Sequence, residues 1–159
     1  MTDERRGAET IAFHLERCDA LVQAIEDGYS DLEPATGESP HQCAVREIFE
    51  ETGLRLTIDD VRLKGMVAET AYENAGHWLL FLFDVTRPIA HDEIQDMHFD
   101  EGTLEWIAMD DIDDLALPFT DREFIWPLVK SHQGGFFSCH IDCREDPMVS
   151  TVHESITTS

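Results

Sequence analysis

Lysine is nearly absent from this chain: Lys64 and Lys130 are the only two, and 11 basic residues stand against 34 acidic ones for a net charge of −23. A field of that sign repels the phosphates of nucleic acid polymers and of anionic membrane surfaces, which excludes both as partners. A small phosphate-bearing molecule has to arrive with a cation. High acid with little lysine also suits a high-salt cytoplasm, where screening removes self-repulsion. Long apolar runs are missing as well. The longest, Trp78 to Phe83, falls far short of the roughly 20 residues a membrane helix needs, and residues 1–12 are polar and charged, without the apolar core of a signal peptide. A cytoplasmic location is expected. No repeat or low-complexity tract appears, and 159 residues suit one domain with flexible tails at about 1–9 and 148–159. Four cysteines are too few and too scattered for a disulfide framework. Cys139 and Cys143 bracket His140 and Asp142 at a spacing open to zinc or redox chemistry, but buried cysteines in a reducing compartment are the preferred reading. The eight histidines show no metal-ligand spacing.

What the chain does have is a short acidic helix with well-marked ends. Ser39 is a good N-cap, Pro40 suits the first helical position and Gln42 can complete a capping box. Gly53 closes the helix after Thr52, with Leu54 as the apolar contact beyond. At about 100° per residue, Ala44, Val45, Ile48, Phe49 and Thr52 fall on one arc, expected to pack. Glu47, Glu50 and Glu51 share another, expected to stay open. Three neighbouring carboxylates repel one another, so a cation should compensate. Arg46 can pair with Glu50 at i+4, yet one guanidinium cannot neutralise three acids and Glu38 besides. Donors that are all oxygen favour a hard cation, Mg2+ or Mn2+.

Gly37-Glu38 followed by Arg46-Glu47-Ile48-x-Glu50-Glu51-x-Gly53-Leu54 resembles the box of the Nudix hydrolases. One position departs: the leading glycine of the family pattern falls on Leu32, where the usual turn reads Ser30-Asp31-Leu32. The resemblance implies hydrolysis of a nucleotide pyrophosphate bond with Mg2+ bridging phosphate oxygens. It makes Glu47, Glu50 and Glu51 metal ligands, gives Glu38 and Gly37 supporting places and has Arg46 orient a glutamate. Glu50 or Glu51 is left as the general base, with an acid from a later loop as the other choice.

The rest of the chain reads as strands mixed with few helices. The pattern predicts a hairpin over Thr10–Glu16 and Ala20–Glu26, and strands at Leu54–Ile58, Arg62–Thr70, Trp78–Thr86, Leu104–Ala108 and Phe136–Ile141. A helical turn at Asp110–Leu115, a terminal helix over Asp121–Ser131 and a frayed tail from Ser150 complete the prediction. The fold class expected is α/β (α+β): a Nudix-like α/β/α sandwich with a mixed β-sheet.

Residues 100–128 look similar to the MutT-type members that hydrolyse oxidised purine nucleoside triphosphates. That likeness adds Glu101 to the metal set and places Thr120 and Asp121 where paired acids read the purine edge; only the second is an acid here. Tyr72 lies at a distance from the box at which dinucleoside polyphosphate hydrolases of the family tend to carry a tyrosine. A nucleoside triphosphate, such as an oxidised purine, is the first-choice substrate. Dinucleoside polyphosphates and nucleotide sugars, ADP-ribose among them, come second. A nucleotide-sensing module without turnover is the remaining alternative, and a homodimer is left open.

Overall fold

The structure is a computed structural model that describes residues 9–11, 37–72, 76–94, 98–99, 102–103 and 106–158. Most of the expected hairpin over 10–26 lies outside them, as do Leu32 and Glu101. The described residues form two compact units, one within 1–14, 38–62 and 84–115, the other within 15–37, 63–83 and 116–159.

In the first unit, helix α1 spans Pro40–Thr52, the bounds that its caps predict. Ser39 Oγ accepts from the Gln42 N–H at 3.3 Å, and Gln42 Oε1 accepts from the Ser39 N–H at 2.8 Å. Gly53 takes φ 71°, a left-handed conformation, and donates its N–H to Phe49 O. The packed arc is turned from the expected one. Cys43, Ile48, Glu51 and Thr52 are buried, whereas Phe49 is 39% exposed and lies under the Arg55 guanidinium, 4.5 Å from the ring centroid. Glu51 sits midway between Cys43 and Ile48 around the helix, so burying those two buries it as well.

The expected strand Leu54–Ile58 is not one. Leu54 and Leu56 are buried and alternate, which is what the periodicity detects, but no ladder partner meets them among the described residues. Ile58–Asp60 is a 3-10 turn, closed by the Thr57 N–H donating to Asp60 Oδ2. Short strands β1 (Glu9–Ile11) and β6 (Trp106–Ala108) pair antiparallel, and Met109–Asp114 forms a 3-10 helix around buried Ile112.

The second unit holds most of a four-stranded mixed sheet. Strands β2 (Val61–Thr70), β3 (His77–Val85), β7 (Phe136–Asp142) and β8 (Val149–Ile156) lie in the order β3-β2-β7-β8. The β2 and β7 strands are parallel, with Val67 opposite Cys139, while β7 and β8 are antiparallel. Two-residue strands β4 (His98–Phe99) and β5 (Gly102–Thr103) pair separately. Val67, Leu80, Leu82, Phe137, Cys139 and Ile141 are buried sheet residues. A Cβ on Gly65 would stand 2.8 Å from the Phe137 ring, so that pair accepts no larger residue without a shift.

The tail expected from Ser150 is therefore a strand. Its backbone pairs with β7, and Ser155 Oγ lies 2.7 Å from His132 Nε2. One irregularity interrupts it: Cys139 faces Val152 and Ser138 faces Glu154, leaving His153 as an extra residue in β8. The expected helix over Asp121–Ser131 divides into a π-helical turn, Asp121–Ile125, and helix α2, Trp126–Ser131. Buried Lys64 donates from Nζ to His132 O at 3.2 Å, setting a cation at the carbonyl end of α2.

Candidate active site

The side chains of the acidic helix converge on Arg46. Its Nε lies 3.2 and 3.3 Å from the two oxygens of Glu38, and Nη2 is 3.1 Å from Glu38 Oε2, a two-pronged grip. Nη1 donates to Glu47 Oε1 at 2.6 Å and to Glu50 Oε2 at 3.1 Å, the pairing the i+4 spacing predicts. The remaining contact runs from Nη2 to Cys43 Sγ at 3.3 Å. One cation thus gathers three carboxylates that would otherwise repel. Hydrogen bonding to Glu38 is the main cause of an Arg46 proton affinity raised well above the ordinary guanidinium value.

Burial pushes the Cys43 thiol up to about 11, against a weaker downward pull from Arg46. The sulfur beside Arg46 is therefore a neutral thiol near pH 7, unfit as a nucleophile. The i,i+3 spacing of Cys43 and Arg46 is the sequence signal of their contact.

The acids differ in access. The Glu38 side chain is 10% exposed and that of Glu50 51%, with Glu47 between them. Glu51 is buried on the adjoining arc. Gly37, at φ 99°, directly precedes Glu38. Among the described residues no three His, Cys, Asp or Glu side chains are grouped to hold a metal ion, since Arg46 occupies the point where Glu38, Glu47 and Glu50 meet. The donor chemistry still suits a hard cation, being carboxylate oxygen throughout, with the one nearby sulfur protonated.

In the second unit Tyr72 is half-buried at the end of β2. Thr120 and Asp121 head the π-helical turn, both buried, Thr120 almost completely. The same turn leads into Trp126, whose buried Nε1 has no hydrogen-bond partner among the described residues.

A family model described as the NUDIX domain matches residues 32–129, more than half of the chain. Among solved structures, one titled as the crystal structure of "mMutator MutT protein" from Bacillus halodurans superposes with a TM-score of 0.57 at 24% identity, over 78% of this chain and 75% of that one. That likeness supports the fold. The family match, together with the Arg46-centred box, carries the rest: the chain belongs to the Nudix family, hydrolases that act on nucleotide-type substrates.

Proposed function

We propose that this chain is a Mg2+-dependent pyrophosphohydrolase that cleaves a nucleoside triphosphate, with an oxidised purine nucleotide as its preferred substrate. The observation that carries the reading is the convergence of Glu38, Glu47 and Glu50 on Arg46 in a helix whose ends are fixed by side-chain and glycine caps. Nudix enzymes generally use divalent metal ions such as Mg2+. Glu47, Glu50 and Glu51, with Glu101 beyond the described residues, are the groups that would hold the ion. When bound, it supplies charge neutralisation on the pyrophosphate and acidifies a water.

The protein's own residues do the remainder. Arg46 holds Glu47 and Glu50 to one side of α1 and ties them to Glu38, so the acids are oriented before substrate arrives. Glu50, half open to solvent, takes the proton of the attacking water. The purine preference is assigned to Asp121, the acid that heads the π-helical turn, because a carboxylate can accept from a purine edge and, when protonated, donate to it. Turns of this kind recur at functional sites.

The test is hydrolysis by purified protein of a panel of nucleoside triphosphates, oxidised and unoxidised, dinucleoside polyphosphates and nucleotide sugars, with Mg2+ and with chelator. Pyrophosphate release from a triphosphate, lost with chelator, is expected. Binding without hydrolysis of any of them, followed as formation of the product nucleotides, would leave a sensing module instead. Glu50→Gln should lower turnover at least about a hundredfold, the scale of a lost base or ligand.

A further inference from the structure

Three adjacent strands carry a polar row that the box does not use. His77 opens β3, Thr70 closes β2 and His140 lies within β7. Thr70 Oγ1 stands 3.1 Å from His77 Nδ1 and 2.8 Å from His140 Nε2. The backbone is built to keep them together. Ala71, next after Thr70, holds a left-handed φ of 59°, and its N–H donates to Gly76 O at 2.8 Å, closing the loop that returns the chain to His77. On the other side, the Cys143 N–H donates to Thr70 O at 3.0 Å, pinning the ends of β2 and β7. A non-glycine residue in that conformation costs on the order of 1–3 kcal/mol and persists only where its surroundings fix it.

A hydroxyl carries one proton and accepts through its oxygen. Between two neutral imidazoles it donates to one ring and accepts from the other. If it donates to His140 Nε2, that nitrogen is bare, so His140 is protonated at Nδ1 and His77 donates from its own Nδ1. If it donates to His77 Nδ1, both rings are protonated at Nε2. Two bare nitrogens facing the hydroxyl would leave one lone pair without a donor; two N–H groups could both be accepted by its oxygen but would leave the hydroxyl's own proton to find a partner outside the row.

We propose that His77, Thr70 and His140 form a proton relay across β3, β2 and β7, in which the two rings hold one shared tautomer and exchange it together. A proton arriving at His77 Nε2 releases the Nδ1 proton of that ring to Thr70 Oγ1. The hydroxyl's own proton passes to His140 Nε2, and the proton on His140 Nδ1 leaves to a water molecule, as the first proton came from one. Each bond formed is matched by one broken, and net charge is unchanged. His77 is exposed and His140 half-buried, so the relay joins a shielded ring to solvent. On β7, Asp142 has its two oxygens gripped by Arg144 at 2.9 and 2.6 Å, and it also interacts with the charge of His140.

Ring-nitrogen NMR at about pH 9, above the ordinary imidazole range, reads the tautomers directly. Equal Nδ1-protonated fractions are expected at His77 and His140. Thr70→Ser, which keeps the hydroxyl, should preserve that equality, and Thr70→Val should abolish it. One ring protonated at Nδ1 and the other at Nε2 in the unaltered protein overturns the relay, as does equality that survives in Thr70→Val. Should Thr70→Val fail to fold, the unaltered protein and Thr70→Ser decide the matter without it. None of these readouts depends on hydrolytic activity.

Discussion

Arg46 is the side chain on which the candidate site turns. Its planar fork makes contacts with three carboxylates that the point charge of a lysine cannot reproduce. Arg46→Lys should therefore keep the fold and lower turnover by up to about a hundredfold, the cost of reactive groups displaced by an ångström; circular dichroism and initial rates together check it. Burial likewise raises both the Cys43 and the Cys139 thiol from 9.0 to about 11. A group that binds its proton more tightly when folded contributes stability that is fully present below pH 9 and lost as pH climbs through 11. Denaturant unfolding at stepped alkaline pH should show that loss, up to roughly 3 kcal/mol per thiol, with a shallower slope in Cys43→Ala. The carboxylates were legible in the sequence because their spacing is itself the chemistry. The burial of Glu51 was not, since neighbours distant in sequence choose which arc of a helix packs.

Elements with chemical punctuation were read to the residue. Helix α1 begins and ends where Ser39, Pro40 and Gly53 place it, because a cap satisfies particular backbone groups. Ser39→Ala should cost about 1 kcal/mol in a melt, as lost N-caps do. Elements whose burial pattern and backbone pairing part company are not legible. All but Ser150 in β8 are exposed, so no alternation reveals it, and Leu54–Ile58 alternates yet joins no ladder among the described residues. Strand order and the His132–Ser155 tie depend on pairings between segments far apart in the chain.

For the molecule as a whole, −23 charges act against compactness at low ionic strength. The Debye length falls from about 10 Å at 0.1 M salt to about 3 Å at 1 M, so the melting temperature should rise between them. A flat or falling trend would separate this chain from salt-adapted proteins. The mixed sheet was foreseeable from composition and pattern; the division into two interleaved units was not, because contacts rather than sequence order define it. Among the described residues strand β8 ends the sheet, with Val149, Val152 and Ile156 exposed, an edge of the sort that recruits further chains. The extra residue at His153 breaks the regular spacing of its outward amides, making it a poor template for fibre growth. Removing that single residue should make the light scattering of this acidic protein climb with time in concentrated salt.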